Sequence, residues 1–232
     1  MAVLNVKKRV YKAFPAFDDR LDAGRKLTEY LGRGPQARTL VLGLPRGGVP
    51  VGWPLAQAME APLDIVVVRK LPLPRNPEAG FGAVTVDGSR FLNEAMLEYL
   101  ALPATLIESI TEQVRREVQR RAIEYRGTDK LPEVEGMDVY LVDDGLATGY
   151  TMLAAATLVR KLQPRSLTLC VPVSPWDSVG TVLPYFDEIY ILFVQERTPF
   201  AVASFYRDFH DMADEEVLRM LRQSKTALTG SA

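Results

Sequence analysis

Apolar, largely β-branched runs recur along the chain at Thr39 to Leu44, Leu63 to Val68, Asp138 to Val142, Ser166 to Val173 and Glu188 to Val194. Their length suits strands, and their near-continuous apolar character suits strands buried on both faces of a sheet. Between most of them lie stretches with apolar positions at helical spacing: Val49 to Met59, Tyr150 to Leu162 and Trp176 to Leu183. Strands alternating with helices predict a parallel sheet with right-handed crossovers, an α/β fold. Ser174-Pro175 reads as an N-cap followed by proline at the first helical position. Ahead of the first strand, Asp18 to Leu31 carries Leu21, Leu27 and Leu31 and reads as a leading helix.

Between the second and third strands the pattern changes. Arg69 to Gly82 is rich in proline and glycine and reads as a long loop. Ala83 to Val86 and Phe91-Leu92 flank Asp87-Gly88, a hairpin signal. Asn93 to Tyr125 then reads as largely helical. Its second part places Ile107, Ile110, Val114, Val118, Ala122 and Tyr125 on one stripe, with Arg115, Arg116, Arg120 and Arg121 mostly off it. Glu112 and Glu117 stand four residues before Arg116 and Arg121, so a solvated, ion-paired helix face is expected there. The tail, Phe200 to Arg222, combines an aromatic cluster (Phe200, Phe205, Tyr206, Phe209) with a final amphipathic helix from about Asp214. Such a cluster is more often core than a platform for stacking a base. Fraying is expected from Thr226 to Ala232.

Composition narrows the classes of function. The 232 residues are enough to bury the core of one α/β domain. The formal net charge of −1 lacks the basic excess of nucleic-acid binders, so no nucleic-acid partner is expected. The lone Cys170 lies inside an apolar run and reads as a buried structural thiol. No uncharged apolar run reaches about 18 residues, so no membrane span is expected. Asn5, Lys7, Lys8 and Arg9 interrupt the N-terminus, which does not read as a secretory signal; a cytoplasmic protein is the expectation. His210, the only histidine, has Asp208 and Asp211 nearby but no spacing that points to catalysis.

Candidate chemistry concentrates in Val139 to Thr151. Four apolar residues (Val139, Tyr140, Leu141, Val142) run into Asp143 and Asp144, and a small-residue turn leads from Gly145 into the next helix. Ligands of open α/β sheets bind beyond the carboxyl ends of strands, where these acids fall. The helix N-terminus that follows favours a phosphate through its unpaired N–H groups and dipole. Adjacent residues of a strand face opposite ways, so for both acids to serve one ligand the chain must turn there, and Gly145 permits it. Diol-binding acids beside a phosphate loop describe a ribose 5-phosphate. Rival motifs fail: there is no Gly-Lys pair for a P-loop, no Gly-x-Gly-x-x-Gly fingerprint, and no acid at Gly145 for an Asp-x-Asp phosphatase.

A second segment, Gly43 to Pro50, also follows a buried strand and opens a helix. Its backbone N–H groups can form a concave anion nest, and Arg46 can fork two hydrogen bonds onto phosphate oxygens.

Together these residues resemble the type I phosphoribosyltransferase family. The apolar strand, two acids, two variable residues and Ala-Thr-Gly-x-Thr loop are similar to its phosphoribosyl-pyrophosphate (PRPP) motif. The resemblance implies a parallel sheet flanked by helices with a small, mostly helical hood. On that pattern residues 1–225 are one domain, with a core of about 18–92 and 131–195, a helical insertion of about 93–130 and a tail or hood of about 196–225. It implies that Asp143 and Asp144 hold the ribose hydroxyls. It implies that Ala147, Thr148, Gly149, Tyr150 and Thr151 wrap the 5-phosphate. Arg46, Gly47 and Gly48 match the pyrophosphate loop, and Arg69 and Lys70 open a segment similar to the family's flexible loop, where they would neutralise the departing pyrophosphate. Magnesium is the implied cofactor, held mostly by PRPP oxygens and waters, with Asp143 and Asp144 reaching it through water.

Ala147 departs from the 6-oxopurine members, which have Asp there, so acid–base help must come from elsewhere; Glu78 is the candidate. The implied reaction transfers the 5-phosphoribosyl group from PRPP to a small-molecule nitrogen acceptor, a nucleobase in the first instance, with release of pyrophosphate. A PRPP-binding regulator without turnover and transfer to a non-base acceptor are the alternatives. A homodimer is a family-level expectation. The Arg-Gly-Gly loop and the Phe-Tyr-x-Asp-Phe run from Phe205 to Phe209 are similar to a group within the family whose acceptor is generally unassigned.

Overall fold

A computed structural model of the chain describes residues 2–74 and 76–229; the side chains of residues 77, 78 and 225–229 lie outside that description. The strands are β1 (Val3–Val10), β2 (Thr39–Gly43), β3 (Leu63–Ile65), β4 (Val68–Leu73), β5 (Asn76–Thr85), β6 (Arg90–Leu92), β7 (Asp138–Val142), β8 (Ser166–Pro175) and β9 (Glu188–Gln195). The helices are α1 (Arg20–Leu31), α2 (Gly48–Ala58), α3 (Glu94–Leu100), α4 (Ala104–Arg126), α5 (Tyr150–Lys161), α6 (Trp176–Val182) and α7 (Asp214–Thr229).

Six strands form a parallel sheet in the order β1-β9-β8-β7-β2-β3. Alternation along each strand divides the apolar residues between two cores. Val41, Tyr140, Val142 and Cys170 face the layer containing α1, α2, α4 and α7. Leu40, Leu42, Val139, Leu141, Leu167 and Leu169 face α5 and α6. Cys170 is buried in the first core, which pushes its thiol pKa up, so it serves packing. The stripe expected on α4 is found: Val114, Val118, Ala122 and Tyr125 are buried, with Ile107 and Ile110 packed beside them.

Several elements differ from the sequence reading. β1 is not foreseen there because an edge strand has one solvated side, and Lys7, Lys8 and Arg9 mask any apolar period; those charges also discourage edge-to-edge pairing. The expected loop from Arg69 to Gly82 is instead mostly the antiparallel pair β4–β5, which joins β6 in a separate three-stranded sheet. Pro72 sits where the register shifts, between Leu71 and Leu73, so it interrupts the ladder without abolishing it. The long helical insertion breaks at Ala101–Pro103 into α3 and α4, with Ala101 in the left-handed conformation. Ser174 does not cap α6: β8 runs through Pro175, the cap position, and Ser174 is buried with its hydroxyl donating to the Pro175 carbonyl. The frayed end expected from Thr226 is helical as far as Thr229.

The segment before α1 is tied to the tail. Ala16 and Phe17 donate backbone N–H groups to the Phe205 carbonyl, and Arg207 and Asp208 donate to the carbonyls of Phe17 and Asp18. Phe205 and Tyr206 are buried, so the tail aromatics are core. Helix α1 then crosses α2 at Gly24, where a Cβ would lie 2.5 Å from the Val51 carbonyl oxygen and 3.1 Å from Pro54 Cδ. Gly24→Ala should therefore overpack the crossing and cost about 1–3 kcal/mol. Urea denaturation should show a lower midpoint with an unchanged slope; a wild-type midpoint would mean that the two helices have room to spare.

Candidate active site

Strand β7 ends at Val142, and the two acids occupy the turn beyond it. Asp143 folds back so that its Oδ1 accepts the backbone N–H of Asp144 at 2.9 Å. Both are half-buried. Burial and the neighbouring Asp144 charge raise the pKa of Asp143 well above the ordinary carboxylate range. Burial raises that of Asp144 as well, opposed by the guanidinium of Arg20.

Arg20 is the principal residue that the sequence reading missed. Its Nε donates to Asp144 Oδ2 at 2.8 Å and its Nη1 to the His210 carbonyl at 2.9 Å. The same guanidinium lies 3.9 Å from the ring centre of Phe209. Tyr206 completes the clamp by donating its hydroxyl to the Asp144 carbonyl at 2.6 Å. The sequence carries only a weak signal for it: an arginine in the first turn of a helix is mildly opposed by the dipole, and its partner acid lies more than a hundred residues away. Gly145 also has a different reason from the one expected. It does not adopt positive φ; a Cβ there would come within 2.5 Å of Val202 and 2.8 Å of Val173, so its bareness admits the tail.

The loop from Ala147 to Thr151 passes directly into α5. Gly149 has φ of 84° and accepts the first helical hydrogen bond from Leu153, a left-handed position that suits glycine. Ser178 of α6 fixes the loop by donating to the Ala147 carbonyl at 2.5 Å. Tyr150 is held by Asn93, whose amide donates to its hydroxyl at 2.5 Å, so the insertion reaches this loop.

The Arg46-Gly47-Gly48 turn lies against the acids. A Cβ on Gly47 would overlap the Asp144 carboxylate, and one on Gly48 would overlap the Val142 carbonyl. The two loops that the sequence singled out are thus in contact at the acid turn. The peptide bond between Pro45 and Arg46 is cis. Arg46 reaches Asp214 of α7 at 3.9 Å, and Asp214 also accepts the Tyr125 hydroxyl. Burial and Asp214 push the Tyr125 pKa up to about 12.

Arg69 and Lys70 lie on β4 rather than in an irregular loop. The Arg69 guanidinium is ion-paired with Glu117 of α4, which also attracts Arg121 at 3.6 Å. Helical spacing offers Glu117 the arginines Arg120 and Arg121; Arg69 as a partner required knowledge of the tertiary fold. Glu112 pairs with Arg116 at 3.0 Å, as expected, and with Arg115. The stem of Lys70 lies over Gly80. Glu78 is on β5, and its side chain lies outside the described residues. His210 is exposed, with Nδ1 3.0 Å from Asp208 Oδ1 and Nε2 3.6 Å from Glu216.

Residues 16–210 match the model of the phosphoribosyl transferase domain, and the chain belongs to that family. Its helix-flanked parallel sheet is the type I phosphoribosyltransferase arrangement. Over 209 residues the chain is 42% identical to Rv0571c of Mycobacterium tuberculosis H37Rv, a protein provisionally named a phosphoribosyl transferase. The match covers 88% of this chain and 46% of that protein, and MT0597 of strain CDC 1551 matches equally. The chain thus spans about half the length of the curated relatives it matches. Among solved structures, TT1426 from Thermus thermophilus superposes with a TM-score of 0.73 at 36% identity, covering 89% of this chain and 98% of that one. No helix of the described residues is long and apolar enough to cross a membrane.

The raised pKa of Asp143 has a consequence for stability. An unfolded Asp ionises near pH ~3.9, and the folded one ionises higher. Between those values the folded state holds the extra proton, so stability falls as pH rises and the penalty is complete above the folded value. Asp143→Asn keeps an acceptor for the Asp144 N–H and removes that penalty. Its melting temperature should exceed wild type at pH 7.5 by roughly 2–4 °C for each 1 kcal/mol recovered, with the difference vanishing in acid. An equal or lower value at pH 7.5 would contradict the burial argument.

Proposed function

We propose that the chain transfers the 5-phosphoribosyl group from PRPP to a nitrogen acceptor, a nucleobase in the first instance, and releases pyrophosphate. The observation that supports this reading is that the glycine turn 46–48 lies against the acid turn at Asp143 and Asp144, from which the glycine-bearing loop 147–151 leads into α5. In this reading Ala147 to Thr151 hold the 5-phosphate at the start of α5, and the acids accept the ribose hydroxyls. Arg46, Gly47 and Gly48 receive the pyrophosphate, with Arg69 and Lys70 above it and Glu78 as the candidate base. The acceptor nitrogen forms a bond to C1 while the C1–oxygen bond breaks, and that electron pair leaves with pyrophosphate. Holding the ribose fixed removes much of the orientational cost of substitution through an oxocarbenium-like state.

The paired acids also suit a magnesium ion. Two half-buried carboxylates side by side, with no third acid, cysteine or histidine joining them among the described residues, match a cation held mainly by substrate oxygens and water. Such an ion would neutralise charge on the leaving pyrophosphate. We read residues 1–225 as one domain in which 93–130 is an insertion and 196–225 a hood. A second reading is PRPP binding without turnover; the Arg20–Asp144 pair bears equally on both, because each needs Asp144 to receive the ribose.

Incubation with PRPP, magnesium and a panel of nucleobases and amines tests both. Pyrophosphate should appear with at least one acceptor, and Asp144→Asn should lower kcat/KM about 10- to 100-fold, the value of a hydrogen bond to a charged group. Tight PRPP binding without pyrophosphate release on any acceptor would select the regulator.

A further inference from the structure

A cleft of about 390 Å³ opens beside the acid turn and is bounded by Arg20. Its volume falls in the range of small-molecule sites. Its apolar lining includes Trp53 and Pro50 of α2, Met212, and Met220 of α7. An indole face attracts cations through its quadrupole, and methionine side chains adapt to flat rings. The rim carries Asp19, Asp208 and Glu216.

Charge decides what this cleft suits. Arg20 is paired with Asp144, and Arg219 is the other arginine of the lining, set against three carboxylates. Each carboxylate keeps acceptor capacity. Asp19 Oδ1 takes the Asp22 N–H, Asp208 Oδ1 takes the His210 N–H, and Glu216 Oε2 takes the Ala213 N–H. A carboxylate offers two oxygens, so each retains sites for a further donor. His210 links Asp208 and Glu216 on the rim and is the group whose charge must be kept constant in any assay.

We propose that this cleft, which adjoins the acid turn and shares Arg20 with it, is a second ligand site for a planar aromatic cation lying on Trp53 with its N–H donors towards the carboxylates of the lining. An aryl amidine or a protonated amino-heterocycle has that chemistry. Nothing in the proposal requires turnover at the acid turn.

Trp53 reports on its own site. The chain has two tryptophans, so Trp176→Phe leaves Trp53 alone. In buffer near pH 8.5, benzamidine should change Trp53 emission saturably. Benzamide, its neutral counterpart, should bind about tenfold more weakly. Glu216→Gln and Asp208→Asn should each weaken benzamidine about threefold or more, and the pair guards against a fold defect in either, checked by thermal melting. The proposal is overturned by the absence of saturation, by equal affinity for benzamide, or by affinity that survives loss of both carboxylates in folded variants.

Discussion

Two adjacent carboxylates at the end of a buried central strand set the terms for the rest of this structure. Taking such charges from water costs several kcal/mol per ion unless they are paired and hydrogen-bonded. The compensation comes from far along the chain in both directions. Arg20 opens the first helix and Tyr206 belongs to the tail; both bond Asp144, and Phe209 of the tail lies against the Arg20 guanidinium. The backbone pairing of Phe17 with the tail then follows as the means of bringing these groups together. Even the bare Gly145 serves that closure, since Val202 fills the space where its side chain would stand.

The outer cations are held differently. Arg46 is paired with Asp214 and Arg69 with Glu117, and all four side chains are about a third exposed. Pairs of that kind contribute roughly 0–1 kcal/mol, so either arginine can exchange its carboxylate for another anion at small cost. The Arg20–Asp144 pair is far less accessible, at 11% and 16% side-chain exposure, and resists such exchange. Arg46 and Arg69 are thus kept in order yet available, whereas Arg20 is part of the frame.

Much of the core and the positions of both glycine-bearing loops were legible because their signals are local. Buried parallel strands give continuous apolar runs, and a strand followed by small residues and a helix marks a phosphate-friendly turn. β1 was not legible because half of an edge strand is solvated, and its partner β9 lies almost the whole chain away. The β4–β5 pair was hidden because Pro72, Pro74 and Gly80 read locally as loop, while the ladder between them depends on cross-strand contacts. Arg20 and Glu117 illustrate the same limit in the site. Each looked like an ordinary charge on a helix, and only tertiary contact gave it a partner on another element.

The order of strands explains why the two glycine-bearing loops lie on different sides of one turn. β2 and β7 are neighbours, but β2 connects outward to β3 and β7 connects in the opposite direction to β8. With crossovers of one hand, the connecting helices must lie on opposite faces of the sheet. The buried side chains agree, since Val49, Val51 and Leu55 of α2 enter one core and Met152, Leu153 and Leu158 of α5 the other. The crevice at such a reversal is where open α/β sheets receive ligands. Here it is flanked by two helix N-termini, whose dipoles favour anions on either side of the acids. The acids stand at the centre because β7 is the strand at which the connections reverse.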